Sequence, residues 1–364
     1  GVVELTVALH RIMSSPTDRI VWDTGHQAYA HKLLTGRLER FDTLRQLGGI
    51  GGFPRRSESE HDVMDGGHAG TGISIGEGLA LARDERGSDE LIAVVVGDAA
   101  LMSGLSLEAL NDLGHRKTRM LIVLNDNEMS ISPSVGAVSQ YLSRIKLSRQ
   151  WRWSRRRFDS DVARVPRIGS FLLEWSRRIR HAVVDFSQPG RLFEDLGVTY
   201  IGPVPGHDLE ALDSTLRAAL QEEDAPILVH VRTRKGYGYR PAEADKVGFH
   251  GAALPPMPDQ APTVVPANGR QPNDGESTPP DGERERRPAP NYTAVRSEEL
   301  VRIAEEDVRV VAISAGMPTG TGVAAFGQRF PARTFDVGIA EQHSMAMAAG
   351  LALAGQRPFV ALYS

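Results

Sequence analysis

Three apolar runs stand out along the chain, and none of them alternates. LIAVVV (91–96), MLIVLN (120–125) and APILVHVRT (225–233) are apolar at nearly every consecutive position. A strand with one wet face alternates apolar and polar residues, so these runs predict strands buried on both faces, in a parallel sheet covered by helices. The stretches VVELTVALHRIM (2–13), GISIGEGLALARDERG (72–87), SLEALNDLGH (106–115) and HDLEALDSTLRAALQEE (207–223) predict helices, with Asp208 as N-cap of the last and Glu210 in its first turn. The pattern changes at 251–290, where ten of forty residues are proline. That segment reads as an extended linker, the alternative being an arm packed on the surface. Alternation resumes over 291–364, with helices predicted at 297–306, 322–330 and 341–354 and strands at 308–314, 333–338 and 358–364. The prediction is an α/β fold of parallel sheets with helices on both faces, in two domains (1–250 and 291–364). The second is short for a complete α/β domain. A start without Met and a strand running to the last residue suggest a piece of a longer protein.

Composition narrows the chemistry. There is no cysteine, which excludes disulfides, thiolate metal sites and thiol nucleophiles. No apolar run approaches the ~20 residues of a membrane span, and the N-terminus does not resemble a signal peptide, so the cytoplasm is the expected compartment. A net charge of −4 gives no global reason to expect a nucleic-acid partner. The exception is a basic insertion at 144–180, in which nine arginines from Arg149 to Arg178 interleave with Trp151, Trp153 and Trp175. Arginine with aromatics can bind nucleic acid. A solvated insertion is the favoured reading, and one covering a ligand site is a third.

Within VVVGDAALMSGLSLEALNDLGHRKTRMLIVLNDN (94–127), Asp98 closes one predicted strand and Asn127 closes the next, 29 positions on. A crossover unit sets two such residues side by side at the carboxyl edge of a parallel sheet, where open α/β sheets bind ligands. As plain turn residues they would mean little. In the NDNEMSIS context they suggest a Mg²⁺ ion held by Asp98, Asn127 and a carbonyl near Met129, with two phosphate oxygens and a water completing six ligands. Glu341 opens the apolar helix MAMAAGLALA after DVGIAEQH. Burial of that helix would desolvate the carboxylate and make it a candidate acid or base, the plainer role being a charge at a helix start. His26 in WDTGHQAYAHK and His68 in DGGHAGTGIS stand beside glycines that let backbone approach a ligand, and imidazole suits proton transfer. Taken singly, each is better read as a hydrogen-bonded structural histidine. The run GTGISIGEG does not spell the dinucleotide fingerprint GxGxxG, which argues against NAD and flavin.

The segments WDTGHQAYAHKLLTGR, GGIGGFPRRSESEHD, LNDNEMSIS, YIGPVPGHD, KGYGYRPAE and FDVGIAEQH together resemble the 1-deoxy-D-xylulose-5-phosphate synthases, thiamine diphosphate enzymes related to transketolase. The resemblance implies a thiamine diphosphate-binding fold, with a diphosphate- and Mg²⁺-binding domain in 1–250 and the start of a pyrimidine-binding domain in 291–364. It implies a cytoplasmic homodimer that condenses pyruvate with D-glyceraldehyde 3-phosphate, releasing CO₂ and 1-deoxy-D-xylulose 5-phosphate, a precursor for isoprenoid, thiamine and pyridoxal synthesis. It assigns Mg²⁺ to Asp98, Asn127 and the Met129 carbonyl, and contact with the aminopyrimidine to Glu341. His26 and His68 fall near the reactive carbon, with Gly67, Ala69, Ala99, Ala100 and Tyr239 along the cofactor. Residues that bind substrate phosphate, and a third domain, fall beyond Ser364, so this chain alone is expected to be short of groups for turnover. The alternatives are a related transketolase-type enzyme and a non-catalytic cofactor-binding fragment. One departure is Ala99, where the family has glycine; if that backbone is left-handed, alanine costs roughly 1–2 kcal/mol.

Overall fold

A computed structural model describes residues 1–127, 190–222, 225–245 and 291–362. Met129, the insertion 144–180 and the linker 251–290 lie outside the described residues.

The first unit runs α1 (Val3–Ile12), β1 (Arg19–Trp22), α2 (Gly72–Arg86), β2 (Ile92–Gly97), α3 (Asp98–Leu101), α4 (Gly104–Arg116) and β3 (Leu121–Asp126). It continues with α5 (Arg191–Asp195), β4 (Thr199–Pro205), α6 (Leu209–Ala219), β5 (Ile227–Arg232) and α7 (Arg240–Ala244). Five strands form one sheet in the order β1-β2-β3-β5-β4, every pair parallel. The continuous apolar runs are explained by burial on both faces. Ile92, Val94 and Val96 meet Ile73, Ala80, Leu110 and Leu113 of α2 and α4, while Ala93 and Val95 meet Leu5, Leu9, Leu212 and Leu216 of α1 and α6. Each such Val, Leu or Ile contributes about 1.5–3 kcal/mol on leaving water, so central strands cannot spare alternate positions for polar groups. Asp208 caps α6 as expected, accepting from the Glu210 and Ala211 amides at 3.1 Å each.

The second unit runs α8 (Tyr292–Glu306), β6 (Val310–Ser314), α9 (Val323–Arg329), β7 (Thr334–Asp336), α10 (Glu341–Leu353) and β8 (Arg357–Ala361), with a parallel sheet in the order β7-β6-β8. Its core gathers Leu300, Ala304, Val310, Ala312, Val323 and Phe326. Helix α10 departs from expectation. It forms where predicted, but only Ser344 and Ala348 are buried, and Met345 and Leu353 are 55% and 91% exposed. A helix that is apolar all round has no single inward stripe, and this one sets its small residues against the sheet and leaves the rest facing out. The burial from which the desolvation of Glu341 was inferred is therefore missing. Among the described residues no helix is long and apolar enough to cross a membrane.

Candidate functional site

Four neighbouring strands end at one edge of the large sheet, and most of the candidate residues follow directly. Strand register pairs Gly97 with Asn125, so the chain leaves β2 at Asp98 and β3 at Asn127 on adjacent strands. Asp98 is buried and opens α3; Asn127 is half-buried. After β1 the chain turns through Gly25–Ala28, which includes half-buried His26. That turn lies against the β2 end, since a Cβ on Gly97 would meet Thr24 Oγ1 and Gln27 Nε2 at 3.7 Å each. Beyond β5, Tyr239 precedes α7 with its ring 58% exposed.

The expected strain at position 99 is absent. Ala99 is helical within α3, and among the described residues only Arg45 and Lys117 have positive φ without being glycine. Alanine fits there because the chain turns straight into a helix after Asp98. Ala100 is buried in the same turn.

Gly67, His68 and Ala69 lie in the loop before α2, and this loop meets the second unit. His68 Nε2 is 3.1 Å from Glu341 Oε1, with the side chains 54% and 26% exposed. The other ring nitrogen, Nδ1, lies 2.7 Å from the Ala69 carbonyl. A carbonyl only accepts, so Nδ1 bears a proton. Nε2 then either donates to a carboxylate or accepts from a protonated carboxyl. In both arrangements one proton is shared between His68 and Glu341, a pair suited to holding or passing it. The helix start at Glu341 is set by the β7 end, where Asp336 Oδ1 accepts from the amides of Gly316 at 2.8 Å and Gly338 at 3.1 Å.

Buried ionic contacts brace the His26 turn from behind. A Cβ on Gly25 would fall 2.6 Å from Phe53, so the 49–55 loop packs directly on this turn. That loop is held by Glu58, which accepts from the Gly51 amide and from Lys32 Nζ, both at 2.6 Å. Arg37 grips Asp62 with two bonds, at 2.6 and 2.9 Å. Burial would raise the Asp62 carboxyl, but the His31 ring nitrogen at 3.3 Å and the two bonds from Arg37 outweigh it and hold Asp62 well below the usual carboxylate range.

Sequence reasoning missed two features. One is Asp23, fully buried at the β1 end. The other is a chain beside β3, in which the Tyr200 hydroxyl lies 2.7 Å from His230 Nδ1 and His230 Nε2 lies 2.9 Å from Asp126 Oδ2. Its only sequence signal was a histidine inside an otherwise apolar strand run.

The residues suit a hard cation carrying phosphates. Asp98 and Asn127 offer oxygen donors, the set Mg²⁺ prefers when phosphates fill the rest of its shell. Among the described residues no group of three or more His, Asp or Glu is poised to hold a metal by itself. Gln27 Oε1, beside Gly97, is buried without a hydrogen-bond partner among the described residues. Among the described residues, nothing beyond its chain neighbours lies within 4 Å of where a Cβ on Gly67 would be, which leaves open space next to His68.

Residues 1–233 match the family model described as 1-deoxy-D-xylulose-5-phosphate synthase, and 289–364 match the pyrimidine binding domain of transketolase. Along its whole length the chain is 46% identical to a 1-deoxy-D-xylulose-5-phosphate synthase of Geobacillus thermodenitrificans, covering 55% of that protein. It is 47% identical to one of Desulforudis audaxviator, covering 54% of it. The chain thus spans about half the length of the curated relatives it matches. A transketolase structure from Campylobacter jejuni aligns with 98% of the chain and 59% of its own length, at 17% identity and a TM-score of 0.47.

Proposed function

The chain belongs to the 1-deoxy-D-xylulose-5-phosphate synthase family, and from that membership we propose that it forms the cofactor-holding part of a thiamine diphosphate- and Mg²⁺-dependent transferase. The whole protein would condense pyruvate with D-glyceraldehyde 3-phosphate, giving 1-deoxy-D-xylulose 5-phosphate and CO₂. The same reading makes it a cytoplasmic homodimer that supplies isoprenoid, thiamine and pyridoxal precursors.

The observation that supports this most is the convergence at the carboxyl edge. Asp98 and Asn127 leave adjacent strand ends, and His68, from the same unit, meets Glu341 of the other. Asp98 and the Asn127 amide oxygen, with the Met129 carbonyl, would hold Mg²⁺ against the diphosphate. Gly67, Ala69, Ala99, Ala100 and Tyr239 would line the cofactor. Thiamine diphosphate, when bound, supplies the carbanion chemistry that amino-acid side chains lack. Glu341 would hold a proton at the aminopyrimidine edge. His26 and His68 would give protons to substrate oxygens as negative charge develops there and take them back afterwards.

The test follows CO₂ release from [1-¹³C]pyruvate by NMR. Release that requires both thiamine diphosphate and Mg²⁺, and that rises when D-glyceraldehyde 3-phosphate is added, is expected of the whole protein. Turnover of ketose phosphate donors in place of pyruvate would instead make it a transketolase-type enzyme.

A further inference from the structure

The loop that bears His68 enters α2 without a cap of its own. Thr71, at the N-cap position, makes no side-chain bond to the helix amides, and its hydroxyl points back to the His68 carbonyl at 3.2 Å. The missing acceptor comes from another element. Asp23, just past β1, accepts from the Gly72 amide at 2.6 Å and from the Gly70 amide at 2.9 and 3.0 Å. The approach is close on both sides. A Cβ on Gly72 would sit 2.7 Å from the Asp23 Cβ, and Gly70 has φ +95° with Ser103 Oγ 2.2 Å from where its Cβ would be. Ser103 and Ser106 also donate to the Gly70 carbonyl, at 3.4 and 3.2 Å. Gly70 is thus held at both its amide and its carbonyl, two residues from His68. A carboxylate aimed at backbone N–H groups makes stronger hydrogen bonds than a neutral acceptor, and at a helix N-terminus it also meets the positive end of the dipole.

We propose that Asp23 is a positioning residue of this site: from the end of β1 its carboxylate caps α2 and fixes the 67–72 loop, setting His68 opposite Glu341. Its consequence for ligand binding rests on the cofactor reading above. Asp23 is fully buried and acts through Gly70 and Gly72. Burial raises its carboxyl above the ordinary range, against the pull of those two amides.

The experiment uses the full 364-residue chain. Amide hydrogen exchange at Gly70 and Gly72 and the NMR pH titration of His68 are read in wild type, D23N and D18N. Calorimetry with thiamine diphosphate and Mg²⁺ accompanies them. Asp18 is the control, because it holds the other end of β1 by accepting from the Leu91 and Ser14 amides at 2.8 and 2.6 Å. The Gly70 and Gly72 amides are expected to be protected in wild type and D18N and to exchange at least tenfold faster in D23N. The His68 titration should shift in D23N alone, and cofactor affinity should fall about tenfold or more in D23N alone. Equal exchange and an unchanged His68 titration in folded D23N would overturn the proposal, as would D18N and D23N behaving alike. Should D23N not fold, D23E decides it: the longer side chain must displace the loop, so wild-type exchange and affinity in D23E would overturn it. A wild-type chain that binds no cofactor would sink the cofactor reading and leave the exchange and titration to judge Asp23.

Discussion

At the scale of single residues, conformation decides more than residue type. Glycine is the family's residue at position 99, which invites the expectation of a left-handed backbone. The chain instead turns helically straight after Asp98, a conformation alanine adopts more readily than glycine. A99G should therefore lower stability by about 0.5–1 kcal/mol in denaturant melts, toward the smaller end because the site is in the first turn. A gain of stability would mean that Ala99 is strained after all. Sequence did point to His68 and Glu341 as separate candidates, but their meeting across 273 positions was not legible, because neither segment encodes its partner. Asp23 escaped notice for a related reason. An Asp before Thr-Gly reads as a turn residue, and only the uncapped start of α2 far along the chain reveals what its carboxylate serves.

At the scale of elements, β2, β3 and β5 were legible because strands buried on two faces must be apolar throughout. In the same sheet β1 and β4 were not. β1 has four residues, too few for a pattern, and β4 includes Gly202 and Pro203 and changes register against β5 there. Between α2 and α4 the packing holds a buried carboxyl, Glu77, raised to about 6 by burial and by Asp112. A folded-state value above the ordinary 4.5 means that the folded protein binds the proton more tightly than the unfolded one. Its contribution is then fully present below pH ~4.5 and lost as pH rises through ~6. E77Q, which can still donate to Asp112, should match wild type at pH 4.5 and exceed it above pH 6. The gain expected is about 1 kcal/mol, allowing for solvent screening. Urea melts across that range check it; a stability difference that does not change with pH would contradict the assignment.

At the scale of the whole molecule, the two parallel sheets and their helix layers could be read from apolar runs and caps, whereas the exposure of α10 could not. An all-apolar helix says that it will be covered without saying by what, and the sheet it packs on covers only its Ser344 and Ala348 side. The ligand site combines both kinds of information. The proposed metal end, at Asp98 and Asn127, rests on strand order, and the Glu341 end depends on how the second unit meets the loop before α2. The central claim, that this edge holds thiamine diphosphate through Mg²⁺, makes the two ends interdependent. Titration calorimetry of the chain with thiamine diphosphate, with and without Mg²⁺, tests this most directly when wild type is compared with D98A and E341Q. Binding should require Mg²⁺ in wild type, weaken at least tenfold in D98A and weaken in E341Q with the Mg²⁺ requirement retained. Heat that is the same without Mg²⁺, or a D98A titration superimposable on wild type, would contradict it.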